Sequence, residues 1–145
     1  MKQAIGMFVA AALALGAVPA LAADDAFLAG AKAYATADKS DARPSEASDY
    51  AYCAGYWDAW STSISSGKLP AERLQPLPVA LKPPSTELAS MAMILMLEET
   101  PEIDQKIELA KAEALILIDA SLAGRVEAAQ DLFHSLGICQ ISEDE

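Results

Sequence analysis

Histidine and cysteine, which often carry metal or nucleophilic chemistry, are nearly absent from this chain. Its 145 residues include one histidine, His134, and two cysteines, Cys53 and Cys139. A structural zinc site needs more ligands than these three supply, and no Cys-x-x-Cys pair is present for a thioredoxin-type redox site. A Ser-His-Asp or Cys-His site would have to use His134, and no base-and-orienter pattern surrounds it. We therefore expect no catalytic residues, no metal and no cofactor.

Positive charge and glycine are also scarce. The chain has 10 Lys and Arg residues against 21 Asp and Glu, a net charge of −11, and only 7 glycines. An acidic protein repels nucleic acid and anionic membrane surfaces. The scattered glycines form no phosphate-binding loop. The acidic segment EETPEID lacks the alternating ligands and turn glycine of a calcium loop, and it is typical of a solvated helix start. We expect no nucleic-acid partner.

The N-terminus has the pattern of a secretory signal peptide. Lys2 precedes an apolar run over residues 4–18, and a small-residue cleavage pattern ends at Ala22. The run is shorter than the roughly 20 apolar residues that a spanning helix needs. We expect residues 1–22 to be removed near Ala22. Residues 23–145 would then form a single helical domain in the periplasm, without stable membrane insertion.

The two cysteines predict one disulfide, because disulfides form and persist in oxidising compartments. A Cys53–Cys139 bond would close a loop over most of the mature chain. On the chain-entropy model, such a loop stabilises the fold by about 4–5 kcal/mol.

Hydrophobic periodicity predicts an all-α fold, since apolar residues recur at helical spacing along most of the chain. The segment LASMAMILML is apolar nearly all round, which predicts a buried central helix. The predicted helices are 24–37, 45–66, one from Ser85, one from Thr100 to a break at Gly124, and 125–136.

The segment between the second and third predicted helices holds five prolines, at 70, 76, 78, 83 and 84. Such a segment cannot form one continuous helix. Its leucines argue against a free linker, so we expect an extended arm packed over the core, with room for one helical turn at 71–75.

Five of the chain's nine aromatic residues lie in the segment YAYCAGYWDAW at positions 50–60. Trp57 and Trp60 share a helical stripe with Cys53, so we expect them in the core. Tyr52 and Tyr56 lie one turn apart on another face. They would either cover a neighbouring helix or meet solvent, and since tyrosine is enriched at interfaces they are the best candidates for contact residues.

The segment CAGYWDAW, with a late cysteine after DLFHSLGIC, resembles two groups of small periplasmic helical proteins. One is the Tai-type immunity family, which protects bacteria from type VI secretion effectors and carries a Cys-x-Gly-Tyr segment with a nearby Asp. Cys53, Gly55, Tyr56 and Asp58 match that pattern, and the match adds Asp58 to the candidate binding residues. The other group is the acid-stress chaperones typified by HdeA, with a Gly-Tyr helix and one disulfide. Both resemblances imply a binding protein.

These patterns together predict a small disulfide-closed helical bundle of four to five helices with a proline-rich extended arm. The expected function is protein–protein binding in the periplasm, immunity-like or inhibitor-like, with an effector, an enzyme or an unfolded client as the partner. A periplasmic acid-stress chaperone is the first alternative, and an enzyme of unknown class is the second.

Overall fold

A computed structural model describes residues 23–141. The predicted signal peptide and the acidic residues 142–145 lie outside this range. All regular structure within it is helical, and no strand occurs there. The elements are α1 (23–39), α2 (Ala47–Ser65), α3 (Ala71–Leu74), a 3₁₀ turn (Val79–Leu81), α4 (Ser85–Leu95), α5 (Pro101–Leu122) and α6 (Val126–Ile138).

Helix α2 is the centre of the bundle and packs against α4, α5 and α6. Its two tryptophans, Trp57 and Trp60, are 1% and 0% exposed, so their predicted core position is confirmed. Each indole also finds a polar partner. The Nε1 of Trp57 donates a hydrogen bond to the carbonyl oxygen of Cys139 at 2.8 Å, and the Nε1 of Trp60 donates to that of Leu81 at 2.8 Å. The two bonds thus attach α2 to the turn that precedes α4 and to the residue that follows α6.

The predicted disulfide between Cys53 and Cys139 is confirmed. It joins the middle of α2 to the residue that follows α6, across a sequence separation of 86 residues. Both cysteines are buried. The C-terminal end of the bundle is therefore covalently attached to its central helix.

A close approach between α2 and α5 depends on Gly55. A Cβ atom at this position would lie 2.5 Å from the carbonyl oxygen of Ile107, 2.6 Å from the Cβ of Ala110 and 2.7 Å from the backbone nitrogen of Lys111. No side chain fits at such distances, so glycine allows the two helix backbones to meet.

Helix α1 packs against α6 through aromatic rings and glycine. The rings of Phe27 and Phe133 meet edge to face with centroids 5.8 Å apart, and Phe133 also meets Trp60 at 5.3 Å. Gly30 leaves room for the ring of Phe133. The predicted N-terminal helix is thus part of the same core as the tryptophans.

The helix ends follow from local chemistry. The carboxylate of Asp49 accepts hydrogen bonds from the backbone N–H groups of Ser45 and Glu46, both at 3.1 Å, and these bonds lower the pKa of Asp49. At the start of α5, the Oγ1 of Thr100 accepts from the N–H of Ile103 at 3.3 Å. Gly124, with φ of +90°, follows the end of α5, as predicted.

The proline-rich segment differs from the expectation. Prolines 70 and 78 lie directly before α3 and the 3₁₀ turn, where a missing N–H group costs little, so they start helical turns. The extended arm and the count of four to five helices are therefore not confirmed. The segment nevertheless packs on the core, since four of its leucines are buried: Leu69, Leu74, Leu77 and Leu81.

The prediction that α4 is a buried central helix is wrong. Helix α4 lies at the side of the bundle, where it packs mainly on α2 and the 3₁₀ turn. One face is covered by these neighbours and the opposite face is exposed. A helix that is apolar nearly all round does not show in its sequence which side will be covered.

Candidate functional site

Tyr56 lies in the interior against a neighbouring helix, which is one of the two arrangements expected for its face. The residue is 1% exposed. Its hydroxyl donates a hydrogen bond to the Oε1 of Glu113 on α5 at 2.8 Å. Burial raises the pKa of Tyr56 above its ordinary value, and its interactions with Tyr52 and Glu113 raise that pKa further. Tyr56 therefore stays neutral and holds α2 against α5.

Tyr52 is half-buried beside it. Its ring lies 4.3 Å from that of Tyr56, centroid to centroid, and its hydroxyl shares a hydrogen bond with the Oγ of Ser135 on α6 at 3.1 Å. The two hydroxyl groups of the tyrosine face are thus hydrogen-bonded to α5 and α6. Part of Tyr52 still lines a shallow groove of about 200 Å³ together with Lys106 and Leu109.

Asp58, the third candidate contact residue, is paired within the fold. Its carboxylate lies 2.9 Å from the Nζ of Lys111 on α5, and this hydrogen bond raises the pKa of Lys111. The Cys-x-Gly-Tyr positions and Asp58 therefore share one property: each attaches α2 to a neighbouring part of the chain. Their role as binding residues stays a prediction, and the structure explains them by packing without a partner.

His134 lines an open groove between α1 and α6. The groove has a volume of about 740 Å³, and Asp25 and Asp131 also line it. It thus brings the imidazole near carboxylates. Among the lining residues only Thr36 has a hydroxyl, and this hydroxyl donates to the carbonyl oxygen of Lys32 at 3.1 Å. The one hydroxyl of the groove is thus hydrogen-bonded within α1, and no Ser-His-Asp arrangement is formed among the lining residues.

The most unusual surface belongs to α4. Its covered side uses Thr86, Ser90 and Met93. Its outer side presents Leu88, Met91 and Leu95, which are 63%, 58% and 81% exposed. Positions 88, 91 and 95 follow spacings of three and four, so their side chains form one stripe along the helix. We call these three residues the α4 seam.

The α4 seam has the reverse of the usual arrangement, in which large apolar side chains face the core. The buried Oγ1 of Thr86 has no hydrogen-bond partner within the described part of the chain. Two further apolar residues of this region, Ile94 and Met96, are also exposed, each at 43%. Large exposed apolar patches are typical of interaction sites.

The sequence carries no signal that identifies the seam, because the side of α4 with the polar residues Thr86 and Ser90 is the covered one. Thr86 and Ser90 are the polar residues one turn apart at the start of α4, and they lie on one side of it. Polar residues normally mark the solvent side of a helix, yet here they face α2, which is rich in small residues. The overall apolarity of the segment concealed this difference between its sides.

Two features of residues 23–141 concern metal ligands and membrane-spanning helices. In that range no group of three or more His, Cys, Asp or Glu side chains is placed to hold a metal ion. None of the helices described is both long enough and apolar enough to cross a membrane.

Compared with protein-family models, curated proteins and solved structures, the chain matches none of them.

Proposed function

We propose that this chain is an exported protein that acts by binding another protein, in the manner of an immunity protein or an inhibitor. The observation that carries the proposal is the exposed apolar α4 seam. Full burial of a leucine or methionine side chain stabilises a complex by about 1.5–3 kcal/mol. The three seam residues are each more than half exposed, so covering them would supply several kcal/mol of binding free energy.

The seam is held on a rigid base, which favours specific binding because less conformational entropy is lost on association. Helix α4 packs on α2, and α2 is fixed by the disulfide and by its two buried tryptophans. The turn that precedes α4 is attached to α2 by the hydrogen bond from Trp60 to Leu81. The apolar side chains are thus presented in a fixed arrangement.

The proposed location is the periplasm. It rests on the signal-peptide pattern of residues 1–22 and is compatible with the disulfide, since such bonds persist in oxidising compartments. The proposed partner is an effector or enzyme of that compartment, as the resemblance to immunity proteins implies.

An acid-stress chaperone is the second candidate, because exposed apolar residues also bind unfolded clients. The two functions differ in their response to pH. An inhibitor binds one partner stoichiometrically at neutral pH, whereas a chaperone of this kind loosens and binds a hydrophobic dye near pH 3.

The test is affinity capture from periplasmic extract at pH 7, followed by light scattering of the purified complex. A single partner in a fixed ratio supports the proposal. Failure to recover a stoichiometric partner, together with dye binding and suppression of client aggregation near pH 3, contradicts it in favour of the chaperone.

A further inference from the structure

The α4 seam has the geometry of a helix-binding surface. Leu88, Met91 and Leu95 repeat at spacings of three and four, the pattern by which one helix packs its side chains along another. The seam spans two turns, roughly 10 Å along the helix axis. An amphipathic helix that presents a matching apolar stripe fits a surface of this shape better than an extended strand, because no unpaired strand edge is present among the described residues.

Every charged residue of the chain segment that contains the seam is acidic. From Pro83 to Gln105 the chain has no Lys, Arg or His. Glu87 directly precedes Leu88, and Glu98 and Glu99 lie three and four residues after Leu95, in the connection between α4 and α5. All three are exposed. The last carbonyl groups of α4, near Leu95, add partial negative charge from the helix dipole.

We infer that the α4 seam binds an amphipathic helix of a partner protein that carries basic residues beside its apolar stripe. This inference rests on the proposed function and names the chemistry of the partner. Lys or Arg side chains flanking the stripe would meet Glu87 at one end and the Glu98–Glu99 pair at the other. The apolar contact supplies affinity, and the charges select the partner and its orientation.

The same charges argue against two other occupants. A second copy of this chain would bring its own acidic residues against these ones, since the protein carries a net charge of −11. An anionic lipid surface would be repelled in the same way.

Two designed helical peptides of about 20 residues test the inference, a length at which an isolated helix begins to be stable. Both carry the same leucine stripe, and the flanking positions are lysine in one and glutamate in the other. Binding of each peptide to the disulfide-bonded protein is measured by fluorescence anisotropy. The basic peptide should bind at least about tenfold more tightly, and this preference should shrink in 1 M salt, where the Debye length falls to about 3 Å.

Two matched variants locate the site. Leu95→Ser should weaken binding of the basic peptide at least about tenfold, because the most exposed apolar contact of the seam is lost. Ile116→Ser removes an equally apolar side chain that is 68% exposed on α5, and it should leave the affinity unchanged. Replacing Glu98 and Glu99 with Gln should reduce the preference for the basic peptide without affecting the fold.

Several outcomes would overturn the inference while leaving protein binding intact. Equal binding of the acidic peptide would show that charge does not select the partner. Binding of neither peptide, when a natural partner is captured at neutral pH, would show that the partner is not a helix of this kind. A dimer of the wild-type protein in sedimentation that Leu95→Ser dissociates would assign the seam to a second copy. The proposed function itself fails only when no stoichiometric partner is captured.

Discussion

Gly55→Ala should separate α2 from α5, because three atoms of α5 occupy the space that the new methyl group would need. The added Cβ would lie 2.5 Å from the Ile107 oxygen and 2.7 Å from the Lys111 nitrogen, nearly 1 Å inside ordinary van der Waals contact. Both of these are backbone atoms, so neither can move aside by changing a rotamer. The helices must therefore move apart along the interface.

The cost can be worked from that displacement. Overpacking of a close-packed core costs about 1–3 kcal/mol, and rigid backbone contacts place this variant at the upper end. A gap of 0.5–1 Å also removes a quarter to a half of the dispersion energy of the atoms that separate. Alanine regains about 1 kcal/mol over glycine in helix propensity. The free energy of unfolding should fall by about 2 kcal/mol, equivalent to roughly 8 °C in melting temperature for a domain of this size.

Circular dichroism melting of the disulfide-bonded variant measures the change. Ala110→Gly provides the second arm, since the Cβ of Ala110 is the one side-chain atom among the three close contacts. Combining it with Gly55→Ala should restore little stability, because the backbone clashes remain. The reasoning is refuted if Gly55→Ala melts at or above the wild-type temperature, or if Ala110→Gly restores it fully.

Three further predictions concern the disulfide, the core and the tyrosines. Replacing both Cys53 and Cys139 with Ala should lower the free energy of unfolding by about 4–5 kcal/mol in urea titrations, and an unchanged midpoint would contradict this. Trp57→Ala should cost about 3–5 kcal/mol by the same assay, through the cavity left behind, and a variant as stable as wild type would place the ring outside the core. Burial raises the pKa of Tyr34 to about 12, and it also raises the pKa of Tyr56. The folded state therefore favours the protonated, neutral form of both tyrosines. Stability should therefore be fully present below pH of about 10 and fall as the pH rises toward 12, and a Tyr34→Phe, Tyr56→Phe protein that shows the same fall would refute this origin.

Periodicity and end signals were sufficient to predict the helices that have a polar side. Helical spacing places Cys53, Trp57 and Trp60 on one stripe of α2, and this stripe, which holds the chain's two tryptophans, faces inward as predicted. The disulfide could be predicted because the chain has only two cysteines, Cys53 on α2 and Cys139 after α6, and hence only one possible pairing. Thr100 and Gly124 mark the ends of α5 because capping and positive φ depend on the local sequence alone.

The burial of Tyr56, which the sequence left open, and the position of α4, which was predicted wrongly, both depend on contacts between distant segments. Tyr56 is buried because Glu113, 57 residues later, accepts its hydrogen bond, and no local pattern in α2 contains that information. The direction of α4 was missed for a related reason. Its apolar residues surround the whole helix, so only the packing of Thr86 and Ser90 on α2 determines that Leu88 and Leu95 face outward.

Calorimetric titration of the partner captured at neutral pH, against the Leu95→Glu and Ile116→Glu proteins, tests the binding role of the α4 seam most directly. Both substitutions place a carboxylate at an exposed apolar helix position. Because Leu95 is the last residue of α4, the new carboxylate meets the negative end of the helix dipole, so Leu95→Glu should cost the isolated fold about 0.3–1 kcal/mol more than Ile116→Glu. Leu95→Glu should weaken binding at least about 30-fold, the equivalent of losing a hot spot worth about 2 kcal/mol, while the protein remains folded in melting experiments. Ile116→Glu should bind like the wild type. Wild-type affinity for Leu95→Glu, or a loss confined to Ile116→Glu, would contradict the assignment of the seam as the binding surface.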